Sequence, residues 1–102
     1  MISKQVRYTV HAEYAEQNKA NISRVMAELR ALGWADINYS VFVEDDGKTF
    51  IHQIISANEE AHQRFGALAS FKAFQAGLQG NGFAVPPTTT DLTLVGSSRD
   101  LL

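Results

Sequence analysis

The sequence predicts an α+β domain of ferredoxin-like architecture with the element order β-α-β-β-α-β. Three observations predict it: an alternating apolar segment followed by a helical apolar stripe, a central hairpin rich in Ile, Val and Phe, and a second helical region followed by a last strand. In this arrangement four antiparallel strands form one sheet, and the helices pack on one of its faces. The 102 residues suit a single domain, which we assign to residues 1–96, followed by a tail at residues 97–102.

The first two elements differ in the period of their apolar residues. Residues 5–12 alternate between apolar and polar side chains, which predicts a strand with one face turned to the core. Across Ala15–Leu32 the apolar residues recur at steps of three and four, which predicts a helix with one buried stripe. Gly33 follows directly and is expected to end this helix in the left-handed conformation.

The middle of the chain predicts a hairpin, with strands at residues 36–44 and 48–56 joined by Asp45-Asp46-Gly47. We expect a type I turn closed by a glycine bulge, which places Glu44 opposite Lys48 as a cross-strand charge pair. A two-residue turn is the alternative, and it would shift the register of the two strands by one residue.

The second helical region is predicted as two pieces. Ser56–Glu59 has the pattern of a capping box, with Asn58 as a competing cap, and the first piece runs to about Phe65. Gly66 is expected to interrupt the helix, and the second piece begins at about Ser70.

The end of the chain carries a break, a strand and a tail. Pro86-Pro87 is expected to prevent regular structure, because proline lacks an amide hydrogen. Thr88–Val95 is the predicted last strand, and Ser97–Leu102 forms either a mobile tail or an arm that reaches a partner.

The charge balance and the apolar runs exclude two kinds of partner. Nine basic and eleven acidic residues give a net charge of −2, and the basic residues are scattered, so no nucleic acid partner is expected. No apolar run approaches the roughly 20 residues of a membrane helix, and the first residues lack the apolar stretch of a signal peptide. We therefore expect no membrane partner.

Cysteine and histidine usage limits the chemistry further. The absence of cysteine excludes disulfides and thiolate metal sites and is compatible with the cytoplasm, where we expect the protein. The three histidines lack the spacing of metal ligands, and no dinucleotide or phosphate-binding glycine motif is present. The expectation is therefore no metal and no cofactor.

Both faces of the central hairpin carry large apolar side chains. In the expected register the first face carries Ile37, Tyr39, Val41, Val43, Ile51 and Ile55, and the second carries Phe42, Phe50 and Ile54. One face of an isolated sheet of this fold meets water, and three large apolar residues there would form a patch that is uncommon in monomers. We therefore expect a homodimer through the sheet face; the alternative is that the tail or Pro86-Pro87 covers the patch.

Several segments of the chain resemble a known superfamily. They are the hairpin Tyr39–His52, the helix Phe71–Gly77 and the exit Pro86–Thr90. Together with the element order they resemble the dimeric α+β barrel superfamily, and within it small proteins of the antibiotic-biosynthesis-monooxygenase-like group. The resemblance implies a homodimer with a cavity between sheet and helices in each subunit. It does not imply one activity, because the superfamily includes cofactor-free oxygenases, haem-degrading enzymes, isomerases and decarboxylases.

His52 is the candidate catalytic residue. It lies in mid-strand between apolar neighbours, where an imidazole is able to act as a general base or to orient a substrate hydroxyl. In the expected register it shares a face with Phe42, Phe50 and Ser40. The alternative is a histidine that is hydrogen-bonded within the core or across a dimer interface.

Five further residues are candidates for substrate binding: Tyr8, Asn18, Trp34, Tyr39 and Phe74. The tyrosines and the tryptophan offer a hydrogen-bond donor beside a large apolar body. Asn18 and Phe74 lie on or near the apolar stripes of the two helical regions. The resemblance implies that surroundings such as these three aromatic residues hold a flat aromatic substrate as a phenolate or enolate for reaction with oxygen; the alternative is that the three are core or interface aromatics. Asn18 either lines a cavity or marks the edge of the first helix.

The haem-degrading branch of the superfamily has an asparagine on the first strand and a histidine on the second long helix, near a tryptophan. Here Val6–Val10 has no asparagine, Phe71–Leu78 has no histidine, and Trp34 follows the first helix instead. These departures argue against haem as the substrate.

Two hypotheses of function remain. The first is a small homodimeric cofactor-independent monooxygenase, or a related cavity enzyme, that acts on an aromatic or polyketide-like molecule. The second is a non-catalytic dimeric module that binds a small organic ligand or has a structural, stress-related role. A cavity on the order of 300 Å³ or more, with histidine or tyrosine groups converging on it, would favour the first.

Overall fold

A computed structural model describes all 102 residues and confirms the predicted α+β, ferredoxin-like class. The elements are β1 (Ile2–Val10), α1 (Ala15–Leu32), β2 (Ile37–Val43), β3 (Thr49–Ser56), α2 (Glu59–Gly66), α3 (Ala69–Asn81) and β4 (Phe83–Asp91), with one 3-10 turn at Ala12–Tyr14 before α1. The strands form one antiparallel sheet in the order β2-β3-β1-β4.

The core lies between the inner face of this sheet and the helices. Its buried apolar residues are Tyr8, Val10, Tyr14, Ala15, Ile22, Val25, Tyr39, Phe50, Ile54, Phe65, Leu68, Phe74 and Leu78. Every second residue of a strand points to the same face, so the inward set of each strand packs against the apolar stripes of the helices. No helix has both the length and the apolarity that a membrane span requires.

The helices begin and end close to the predicted residues. α1 ends at Gly33, whose φ of 65° and N–H bond to the Leu29 carbonyl form the expected left-handed cap. At α2 the competing cap is the correct one, because the Asn58 side chain accepts the Ala61 N–H at 2.9 Å. The capping box at Ser56 is wrong, since Ser56 remains the last residue of β3.

The favoured hairpin register is wrong by one residue, and the alternative shift is observed. The Glu44 N–H donates to the Thr49 carbonyl at 2.8 Å, and Val43 lies opposite Phe50. The cause is Asp46, whose carboxylate accepts the backbone N–H groups of Lys48 and Thr49 and the Thr49 hydroxyl. Because of these hydrogen bonds, the observed turn contains one residue more than the expected turn with a glycine bulge.

The new register changes which side chains share a face. His52, Phe50 and Ile54 lie on the inner face with Tyr39 and Val41. The outer face carries apolar Phe42, Ile51 and Ile55 between polar Asn38, Ser40, Thr49 and Gln53. The predicted outer patch of Phe42, Phe50 and Ile54 therefore does not form, because Phe50 and Ile54 are buried in the core.

The last strand begins earlier than predicted and runs through both prolines. β4 spans Phe83–Asp91, and Leu92–Val95 lies beyond it. An edge strand tolerates proline because only one side of its backbone bonds to a neighbour. The ladder with β1 is also irregular between Arg7 and Thr9, which is the stretch that faces Pro86-Pro87.

The residues after β4 cross the outer face of the sheet. The Leu92 N–H donates to the Ser3 carbonyl at 2.9 Å, and the Asn38 amide donates to the Leu101 carbonyl at 3.0 Å. These two bonds lie at β1 and at β2, so the tail spans the sheet from its β4 side to its opposite edge. Part of the outer face is therefore covered within the chain itself.

Candidate active site

His52 lies at the centre of the inner face of the sheet, on β3, and is almost fully buried. Its directly paired neighbours are Val6 on β1 and Val41 on β2. Tyr8 lies two residues after Val6, and Tyr39 lies two residues before Val41. Both tyrosines are therefore diagonal neighbours of His52, one on each side, and their rings are within reach of the imidazole. The sheet thus places one imidazole between two phenols.

Both ring nitrogens of His52 are hydrogen-bonded to these tyrosines. The Tyr8 hydroxyl lies 2.8 Å from Nε2, and the Tyr39 hydroxyl lies 2.7 Å from Nδ1. A neutral imidazole has one N–H and one lone pair. One tyrosine therefore donates to the ring while the other accepts from it, and the two tautomers exchange these roles.

Asn18 extends the arrangement from the sheet to α1. It is fully buried, and its Nδ2 group donates to the Tyr8 hydroxyl oxygen at 2.9 Å, while its Oδ1 has no hydrogen-bond partner. Tyr39, His52, Tyr8 and Asn18 form a continuous series that we call the buried chain. It contains no formal charge, and the side chains packed on the imidazole are aromatic, with the Phe74 ring centroid at 5.3 Å.

Burial controls the protonation of the buried chain. Desolvation lowers the pKa of His52 to about 4, because a charged imidazolium is disfavoured away from water. The same cause raises the pKa of Tyr8 and of Tyr39 well above the usual range, and the bond from Asn18 offsets part of the effect at Tyr8. At neutral pH all four groups are therefore uncharged.

A cavity of about 290 Å³ lies against the two middle members of the buried chain, Tyr8 and His52. Tyr8 and His52 form part of its wall, and the surrounding apolar side chains are Val6, Ile54, Phe71, Phe74, Leu78, Phe83 and Pro87. Gln75, Gln79 and Thr89 are exposed and supply its polar groups nearest to solvent. The cavity thus combines aromatic walls with one hydrogen-bonding hydroxyl and one imidazole.

A second hollow, of about 370 Å³, lies between the end of α1 and β2. Tyr39 lines it, together with Met26, Leu29, Arg30 and Trp34. The Trp34 ring is covered by the Arg64 guanidinium, 4.2 Å from its centroid. The buried chain therefore reaches the first cavity at Tyr8 and the second hollow at Tyr39.

The structure brings together four of the six sequence candidates and places a fifth beside them. His52, Tyr8, Tyr39 and Asn18 are directly bonded, and Phe74 packs on the imidazole. Trp34 does not line the cavity at His52; it lines the second hollow instead. The roles predicted for these residues stay predictions.

Sequence reasoning missed the polar residues of the cavity. Gln75 and Gln79 follow Phe71 at steps of four on α3, so all three lie along one line of the helix. This spacing of the two glutamines beside the apolar stripe is the sequence feature that could have identified them as cavity residues. No three histidine or acidic side chains lie together in an arrangement that would hold a metal ion.

Comparison with known proteins gives structural matches only. No protein-family model matches the chain, and no curated protein matches it. A candidate antibiotic biosynthesis monooxygenase from Nitrosomonas europaea superposes with a TM-score of 0.78 at 12% identity, over 94% of this chain and 100% of the other. SnoaB, a cofactor-independent oxygenase from Streptomyces nogalater, superposes with a TM-score of 0.71 at 14% identity, over 97% of each chain.

A third similar structure comes from Deinococcus radiodurans and is also a candidate antibiotic biosynthesis monooxygenase. Its TM-score is 0.74 at 14% identity, over 100% of this chain and 99% of the other. Identities this low carry information on the fold and not on the reaction. The chain therefore has the fold of the antibiotic-biosynthesis-monooxygenase-like group, as the resemblance in its sequence predicts.

Proposed function

We propose that the protein is a cofactor-independent monooxygenase that acts on a compact, flat aromatic molecule bearing a phenol, enol or ketone oxygen. The observation that carries this proposal is the meeting of the Tyr8 hydroxyl and the His52 imidazole at the wall of an otherwise apolar cavity. The fold it shares with SnoaB, a cofactor-independent oxygenase, supports the same class of chemistry.

The shape and lining of the cavity suit a flat aromatic ligand. About 290 Å³ lies at the lower end of small-molecule sites and therefore suits a compact ligand. Phe71, Phe74 and Phe83 offer ring faces and edges for stacking on a planar molecule. An oxygen atom of the ligand would then meet the one buried hydroxyl that lines the cavity, that of Tyr8.

The proposed reaction draws all its electrons from the substrate. A CH₂ group made acidic by conjugation with a ketone or phenol loses one proton and becomes a delocalised anion. Molecular oxygen adds to that carbon, the resulting peroxide anion takes up one proton, and the hydroperoxide loses water to leave a carbonyl. One oxygen atom enters the product and the other leaves as water, so no external reductant is required.

Each member of the site has a defined part in this reaction. Tyr8 binds the substrate oxygen, and Tyr8 with His52 receives the proton that the substrate loses. Asn18 fixes the Tyr8 hydroxyl from the α1 side. The apolar walls exclude water and thereby strengthen each hydrogen bond to the developing anion.

A non-catalytic ligand-binding module is the second candidate, and one observation favours it. Both nitrogens of His52 are already bonded to tyrosines, and burial makes the imidazole a weak base with a pKa of about 4. The two candidates differ in oxygen consumption, since only the enzyme consumes oxygen when an aromatic ligand such as anthrone is supplied.

We also propose that the protein acts as a homodimer through the outer sheet face. Phe42 and Val85 lie on this face with 51% of each residue exposed, and Ile51 and Ile55 on the same face are half-buried. Exposed apolar area of this kind favours a partner surface of the same chemistry. A second copy supplies that surface by two-fold symmetry.

Replacing Tyr8 by Phe tests the enzyme proposal at its key hydroxyl. We expect Tyr8→Phe to lower the rate of anthrone oxidation by about a hundredfold or more, because loss of one buried donor to a developing anion has that effect. Oxygen uptake measures the rate. Tyr14→Phe removes a hydroxyl that bonds to Asn21 outside the cavity and should leave the rate unchanged. Equal rates for Tyr8→Phe and the unchanged protein would contradict the role of Tyr8.

The depressed pKa of His52 predicts a loss of stability in acid. The unfolded chain binds a proton at His52 below its ordinary pKa of 6.5, whereas the folded protein binds it only near pH 4. The free energy of unfolding should therefore fall by about 2 kcal/mol as the pH drops from about 7 to about 4.5. Urea unfolding of the protein and of His52→Gln measures the effect, and the variant should lack this contribution. An identical pH dependence in both proteins would contradict the buried neutral imidazole.

The dimer proposal predicts the effect of one charge on the outer face. We expect the protein to have twice its chain mass of 11.2 kDa in light scattering and Phe42→Glu to have the mass of one chain. Leu32→Glu is the matched control, because Leu32 is similarly exposed, at 46%, but ends α1. A single-chain mass for the unchanged protein, or a dimeric Phe42→Glu, would contradict an interface at this face.

A further inference from the structure

The buried chain connects two separate openings of the molecule. Tyr8 lines the substrate cavity, Tyr39 lines the second hollow, and His52 bonds to both tyrosines at 2.8 and 2.7 Å. The second hollow, of about 370 Å³, has room for several water molecules, and its lining includes exposed Arg30 and Asn38. A hydroxyl–imidazole–hydroxyl series between two such openings is a path along which protons can move.

We propose that Tyr39 is the exit residue of a proton relay that carries the substrate proton along the inner face of the sheet to water in the second hollow. The inference rests on the proposed function, which supplies the substrate that loses a proton. The relay adds a route for that proton and gives the second hollow a part in the reaction. The oxygenation chemistry alone requires neither.

Before the transfer, every hydrogen bond of the relay points in the same direction, from Tyr8 towards water in the second hollow. Tyr8 donates to Nε2 of His52, Nδ1–H donates to the Tyr39 oxygen, and the Tyr39 hydroxyl donates to water. The substrate proton moves to the Tyr8 oxygen, the Tyr8 proton to Nε2, the Nδ1 proton to Tyr39, and the Tyr39 proton to water. Each of the three side chains gives one proton and receives one, so only the substrate and water change charge.

After the transfer, the same bonds run in the opposite direction. Tyr39 donates to Nδ1, Nε2–H donates to the Tyr8 oxygen, and the Tyr8 hydroxyl donates to the substrate anion. The Asn18 amide donates to Tyr8 in both states, so both lone pairs of the Tyr8 oxygen are then occupied and its proton points to the anion. The relay thereby converts a proton acceptor into the donor that stabilises the product of proton loss.

Burial explains why a relay suits this site better than a simple base. A proton held on His52 would place an imidazolium in the core, where desolvation disfavours it and no carboxylate contacts the ring. The relay leaves the imidazole neutral before and after the transfer. The peroxide anion formed with oxygen later requires one proton, and reversal of the same steps returns it and resets the original tautomer.

Anaerobic mixing with anthrone isolates proton loss from the oxygen reaction. Absorbance reports the anthrone anion, and a pH indicator in weak buffer reports the proton that reaches solvent. In the unchanged protein we expect both signals to rise at the same rate. Tyr39→Phe should slow both at least tenfold while the affinity for anthrone changes less than about threefold, because the ring remains and only the exit hydroxyl is lost. Tyr14→Phe is the matched control and should equal the unchanged protein.

Solvent deuterium separates a relay from a positioning role of Tyr39. Several protons move together in the relay. A plot of the rate of anion formation against the deuterium fraction of the solvent should therefore be curved. Tyr39→Phe should give a straight line, which a merely misplaced His52 would not produce. Unchanged speed in Tyr39→Phe, or a straight line for the unchanged protein, would overturn the relay and leave the proposed function intact. A protein that forms no anthrone anion would overturn both.

Discussion

The imidazole of His52, held neutral between two tyrosine hydroxyls, is the constraint on which the rest of the structure depends. A buried ring nitrogen without a partner costs about 1–3 kcal/mol, so each hydroxyl stabilises the sheet with the imidazole enclosed. Tyr8 reaches Nε2 only through the β1–β3 register, and Tyr39 reaches Nδ1 only through the β2–β3 register. A slip of one residue in β2 would turn Tyr39 to the outer face and leave Nδ1 unpaired.

The same constraint links the helices to the candidate site. Asn18 joins the buried chain from α1, and Phe74 of α3 covers the imidazole, so the packing of the two helices sets the polarity and the size of the cavity together. Glu28 of α1 also accepts the Ser70 N–H and hydroxyl in the first turn of α3, which positions that helix over the sheet. The ferredoxin-like scaffold thereby surrounds the buried chain with aromatic side chains.

Periodicity and turn residues were sufficient to predict the element order, the limits of α1 and its cap at Gly33. They also identified His52, Tyr8, Tyr39 and Asn18 as individual candidates. Their connection could not be predicted, because it depends on the register that the Asp46 carboxylate sets by capturing Thr49. Composition likewise could not show that β4 continues through two prolines, since that depends on its position at the sheet edge. Trp34 had the right chemistry for the cavity but lies at the second hollow, a distinction that only tertiary packing makes.

Nitrogen NMR of the His52 ring in the free protein tests the central claim most directly. The account predicts one protonated and one unprotonated nitrogen, with hydrogen-bond couplings or shifts to both tyrosine hydroxyls, unchanged from about pH 8 to about pH 5. Loss of the signal in His52→Gln assigns it. A ring that becomes doubly protonated near its ordinary pKa of 6.5 would contradict the account, because the imidazole would then be solvated and not enclosed between Tyr8 and Tyr39.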